Sequence, residues 1–278
     1  MQDIGGQAVI EGVMMKSNSN MAIAVRLPNK KIKLHTQKLK RFRKFWRLPF
    51  IRGIFQLIYI LVLGIKAIIW SSDQQLGKDE KITGKELALT LIISFGLVIV
   101  IFIALPFFVT KIFFDTGFAF NLIDGILRLV IFLIYIAFVG MMKDIKTLFQ
   151  YHGAEHKCIH CLEAKQPLTI ANIRKFSTLH PRCGTAFILI VFVISIIVFS
   201  LITGSWQLRL LSRIVLIPVV AGISYEILKL SARFNRNIIM RAITYPGLLL
   251  QKLTTKEPDE KQIEVALASL KQILKLEK

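Results

Sequence analysis

In His152-Gly-Ala-Glu155-His156, two imidazoles and a carboxylate fall at positions 0, 3 and 4. On a helix with 3.6 residues per turn these side chains share one face, so both histidines can reach one divalent metal ion. The pattern is H-x-x-E-H, the inverted zincin signature. Its spacing has a chemical reason: two histidines hold zinc, while Glu155 stays free to take a proton from water whose pKa the ion lowers toward about 7. Such a site needs a third protein ligand. His180-Pro181-Arg182-Cys183-Gly184 follows after a short polar stretch, and His180 or Cys183 is the favoured third ligand. His160 and Glu226 are further candidates. Glu226 suits the downstream glutamate of inverted zincins, but it lies in an apolar helix, where a carboxylate is costly without a polar partner.

Two other readings compete. Cys158-Ile-His-Cys161 with His180 and Cys183 could form a closed Cys₃His structural zinc site. A thioredoxin-like role is disfavoured, because no βαβ pattern surrounds the cysteines. The plainest alternative is a chance motif whose histidines only hydrogen-bond or cap at a membrane interface. The second His/Cys cluster, expected on the same side of the membrane, weighs against chance.

The elements that must position these groups are mostly apolar. Mean hydropathy is +0.58 and 54% of residues are hydrophobic, more than a soluble domain carries. Apolar segments run at 51–70, 87–110, 120–142, 185–204 and 214–230, against about 20 residues needed to cross a bilayer. Charge decides how many cross. If 51–70 crosses, the 143–184 loop with seven Lys/Arg and the 231–278 tail with nine lie outside, against the positive-inside rule. If 51–70 lies in the interface or re-enters, four spans place every basic region inside. The fold class expected is therefore an all-α polytopic membrane protein with four transmembrane helices, an interfacial or re-entrant helix, and a small cytoplasmic α+β layer.

That layer begins with a β-hairpin, from Ala22–Leu27 through Pro28-Asn29 to Lys30–Thr36; Gln7–Glu11 between glycines is a tight loop or a short strand. His35 reads as a surface residue of the hairpin, and Asp124–Arg128 as an interfacial ion pair. Ile263, Ala266, Leu267, Leu270, Ile273 and Leu274 recur at amphipathic spacing and predict a helix packed on the soluble layer. The organisation expected is 1–48, an N-terminal element; 49–142, the interfacial helix and two spans; 143–184, the motif region; 185–230, two further spans; and 231–278, a cytoplasmic C-terminal segment. No cleavable signal sequence is expected, and three cysteines, an odd number, argue against a disulfide framework. Formal charge is +20, with Lys30–Arg52 densely basic. Before an apolar segment such a run suits anionic lipid headgroups at about 1 kcal/mol per basic residue. Nucleic acid is the less favoured partner.

Gly5-Gly-Gln-Ala-Val-Ile-Glu11-Gly-Val-Met-Met15, Tyr151–Lys157, Leu179–Thr185, Pro218–Glu226 and Pro246-Gly-Leu248 together resemble the YqhQ-like family of bacterial membrane proteins, a family of unknown function. The resemblance runs nearly end to end. Members are labelled predicted metal-dependent enzymes, a label that adds little to the motif itself. It places Glu11, His152, Glu155, His156, His180, Arg182, Cys183 and Glu226 within family motifs and does not extend to Cys158 and Cys161. It also implies a multi-pass protein of the bacterial cytoplasmic membrane, and the charge distribution expects both termini inside.

The activity expected is a divalent-metal-dependent membrane hydrolase, with zinc as cofactor, His152 and His156 as ligands, His180 or Cys183 completing the set, and Glu155 as general base. The rival is a non-enzymatic scaffold or assembly factor whose metal, if any, is structural. A transporter is disfavoured, because the spans hold few ionisable residues at mid-depth.

Overall fold

The computed structural model describes residues 4–39, 51–76, 83–181, 183–233 and 238–277. Strands β1 (Gly5–Val9), β2 (Gly12–Lys16), β3 (Asn20–Arg26) and β4 (Ile32–Lys38) form an antiparallel meander in chain order. The expected hairpin is β3–β4. Gln7–Glu11 is part of a second hairpin, β1–β2, whose turn places Glu11 at φ 50°. Register pairs Val13 with Ala24 and Met14 with Ile23. With side chains alternating between faces, Val13, Met15, Ala22 and Ala24 bury on one side, and Met14, Met21, Ile23 and Val25 on the other.

Both faces are therefore covered. Helices α5 (Lys143–Glu163) and α11 (Glu260–Leu276) pack on the first through Ala154, Cys158, Ile263, Ala266 and Leu270. Asp259 starts α11 with a reciprocal capping box to Gln262. Helix α1 (Ile51–Asp73) covers the second face with Leu63 and Ala67, and Ser71 Oγ accepts the Ile10 N–H at 3.0 Å. His35 stacks on Trp70 of α1, with ring centroids 5.1 Å apart.

Three helical stretches among the described residues are long and apolar enough to cross a bilayer: Arg52–Asp73, Gly84–Phe113 and Gly117–Val139. These features mark a membrane protein. The second stretch comprises α2 (Gly84–Ile99), a π-helical turn Val100–Ala104, and α3 (Leu105–Phe113); the third is α4. The 185–204 segment is the shorter helix α7 (Thr185–Ser200), which follows the small helix α6 (Ile170–Arg174). The 214–230 segment is not one straight helix. Helices α8 (Trp206–Val215) and α9 (Ile217–Arg233) meet at a 50° bend, where Pro218 in the first turn of α9 has no N–H to continue the ladder. Helix α10 (Ile238–Thr254) packs on α7 and α9.

The Asp124–Arg128 pair forms at 2.9 Å, but it is buried rather than interfacial. Arg213 reaches the same carboxylate oxygen at 3.0 Å, donates to Asn121, and lies against the rings of Phe107, Phe120 and Phe199. This cluster stands at the end of α7 opposite the histidines. Most of the Lys30–Arg52 basic run lies outside the described residues.

Candidate metal centre

Helix α5 has two working faces. Ala154, Cys158 and Cys161 recur at i, i+4 and i+7 and point into the core beneath the sheet. His152, His156, His160 and Glu163 recur at i, i+4, i+8 and i+11 and form a second stripe. The helix ends in a Schellman arrangement: Lys165 adopts φ 53°, its N–H reaches Leu162, and the Gln166 N–H reaches Cys161 at 3.1 Å. Gly153 allows the chain after α10 to cross close by. A Cβ there would stand 2.1 Å from the Lys256 carbonyl oxygen.

That crossing orients the first imidazole. His152 Nδ1 donates to the Thr254 carbonyl at 2.9 Å, and His156 Nδ1 donates to Thr178 at 2.5 Å. These contacts assign the Nδ1–H tautomer and leave Nε2 of both rings as the lone-pair donor. Cys183 Sγ lies 3.3 Å from His152 Nε2, and the Thr185 hydroxyl points at the same sulfur from 3.4 Å. Donor atoms of His152, His156 and Cys183 all lie within 4.8 Å of one another. Two imidazoles and a thiolate are a fitting set for a zinc-like ion, with room for an open position.

His180 joins a different group. Its donor atom gathers with those of His160 and Glu163, also within 4.8 Å of one another. The side chain of fully buried Gln251 brackets its backbone, accepting the His180 N–H at 2.8 Å and donating to its carbonyl at 2.9 Å. Glu155 lies in neither group. It is buried beside them, where the Gly6 N–H donates to its carboxylate. Burial raises its pKa, against the lowering effect of nearby His152 and of that N–H. A cavity of about 120 Å³ is lined by Gly6, Glu155, His156, Glu163, His180 and Cys183, so it touches Glu155 and members of both groups.

The other candidates stand elsewhere. Glu226 is held by Arg52 of α1, which donates from Nε at 2.8 Å and also from Nη2. Glu11 accepts from the Tyr151 hydroxyl at 3.2 Å and lines a separate hollow with Asp144 and Thr147. Arg182 lies outside the described residues. Cys158 and Cys161 are buried in the core on the far face of α5, and burial raises both thiol pKa values. The Cys₃His set therefore does not assemble. Sequence reasoning missed Glu163 and Gln251. Glu163 was available from its place on the histidine stripe; Gln251 is a lone amide in an apolar run, with no local signal.

Fold and site together define a helical membrane protein with a small sheet at one end and a His/Cys/Glu cluster beneath it. The chain belongs to the family described as "Protein of unknown function (DUF1385)", which matches residues 48–276. It is similar to "Uncharacterized protein YqhQ" of Bacillus subtilis (strain 168), with 37% identity over 297 residues that cover 98% of this chain and 92% of that protein. The YqhQ-like resemblance carried by the five motifs is thus shown. No solved structure matches the chain.

Proposed function

We propose that the protein is a divalent-metal-dependent hydrolase, zinc being the best-fitting ion, with its site at the cytoplasmic face of a bacterial inner membrane. The observation that carries this reading is the convergence of His152, His156 and Cys183, with both Nδ1 atoms already committed to carbonyls. A bound ion supplies Lewis acidity toward water and toward a polarised substrate oxygen. His152 and His156 hold it, and Cys183 adds the third ligand. Glu155, facing the same cavity, accepts the proton from the attacking water and returns it to the leaving group. Its raised pKa suits a base that must give the proton back.

Helix α1 supports the membrane arrangement proposed. Its second half lies on the sheet, and an open sheet edge does not survive in hydrocarbon. Only residues 51–62 remain to cross, about 18 Å of helix against a hydrocarbon core of about 30 Å. Ile58, Leu61, Val62 and Ile68 form an exposed apolar stripe on the other side of α1. An in-plane helix fits both facts, leaving four spans and anionic headgroups as the partner of the basic segment before α1.

A scaffold reading has one observation in its favour. The ligands join α5 to the segment before α7, and the Thr254 contact adds α10, so a metal here would also staple the sheet layer to the membrane helices. Metal content of purified full-length protein tests the shared first step: His156→Ala should lose bound zinc that the wild type retains. Glu155→Gln should keep the metal and lose turnover across ester, amide and phosphoester reporter substrates. Equal zinc in wild type and His156→Ala would remove the His152, His156 and Cys183 site. Unchanged turnover in Glu155→Gln would reject the hydrolytic role assigned to that carboxylate.

A further inference from the structure

We propose that His160, Glu163 and His180 bind a second divalent metal ion, separate from the one held by His152, His156 and Cys183. Their three donor atoms lie within 4.8 Å of one another, the same convergence seen in the first group. The six donor atoms do not gather at one focus: they fall into two such groups with no member in common. The two ions would be neighbours, reached from one cavity lined by His156 and Cys183 of the first group and by Glu163 and His180 of the second.

Three details suit a cation. Glu163 Oε2 and His180 Nε2 are 3.3 Å apart. That spacing is the edge of a tetrahedron whose ligands sit about 2.0 Å from zinc, roughly 3.3 Å. The Leu179 carbonyl takes the Nε2–H of His160 at 2.8 Å, which puts that ring's lone pair on Nδ1. Gln251 fixes the backbone of His180 from both sides, so this ligand is positioned before any ion arrives.

The role of this ion follows from what it would join. It would tie the C-terminal end of α5 to His180, close in sequence to Cys183 of the first group. It is a positioning ion, and its donor set of two imidazoles and one carboxylate suits zinc or another first-row divalent cation. The inference extends the metal-dependent reading without sharing its ligands, so the two can fail separately.

The test is zinc stoichiometry in untagged, full-length protein purified in detergent, equilibrated with zinc alone and then freed of excess. Wild type should retain two equivalents. Glu163→Gln and His160→Asn, both close in shape, should each retain one, as should His152→Ala. If one variant misfolds, the other still reports. Two equivalents in wild type that persist in both Glu163→Gln and His160→Asn would overturn the second site. A single equivalent lost in His152→Ala but kept in Glu163→Gln would do the same while sparing the first. A single equivalent lost only in the second-group variants would instead support this site and remove the first.

Discussion

Glu155 shows how one residue carries opposite demands. Desolvation beneath the sheet disfavours its charged form, and a general base needs that charged form available. In metal-free protein the folded chain holds this proton to higher pH than the unfolded chain does. The associated stability is complete below the unfolded carboxyl pKa and is lost as pH rises through the folded value. Glu155→Gln removes that titration and can still accept the Gly6 N–H. Thermal melts of metal-stripped protein should therefore place the variant above wild type at neutral pH, with the gap closing as pH falls below the ordinary carboxylate range. Coincident melting at every pH would mean that the carboxylate is already fully compensated.

Among the elements, α5 does most to build the site, and its precision depends on the chain that crosses it. Gly153 permits that crossing, and Thr254, at the end of α10, orients His152. Gly153→Ala would force a Cβ to 2.1 Å from the Lys256 oxygen, so the crossing must shift, at about 1–3 kcal/mol of strain. The variant should melt several degrees lower and bind zinc more weakly, as read by titration calorimetry. Unaltered affinity would show that the Thr254 contact does not position His152.

How much was legible also differs by element. Alternating side chains around Pro28-Asn29 exposed the β3–β4 hairpin. The β1–β2 turn was hidden because a glutamate, Glu11, takes the left-handed position where asparagine or glycine would signal it. His152, Glu155 and His156 could be aligned by helical period alone, and the same period separates Cys158 and Cys161 onto the opposite face. Which of His180 and Cys183 meets which histidine depends on how the segment before α7 returns along α5, and local spacing does not encode that path.

For the whole molecule, charge and burial favour one orientation. The sheet, α5 and α11 form a layer at one end of the helices, and the Asp124–Arg213 cluster marks the other end. Cysteines introduced one at a time at Lys165, after α5, and Asp115, between α3 and α4, should therefore react from opposite sides of the membrane in a background lacking Cys183, where the remaining Cys158 and Cys161 are buried. In intact cells an impermeant maleimide should label Asp115→Cys and spare Lys165→Cys until lysis. Labelling of Lys165→Cys from outside would invert the arrangement and place the histidines on the wrong face for a cytoplasmic enzyme.

The most direct measurement of the central claim is the absorption spectrum of the purified protein loaded with cobalt(II) in place of zinc. Nitrogen and sulfur donors from His152, His156 and Cys183 converging on one ion predict an intense thiolate-to-cobalt charge-transfer band that disappears in Cys183→Ser. A wild-type spectrum without that band, or one unchanged by the substitution, would contradict the account.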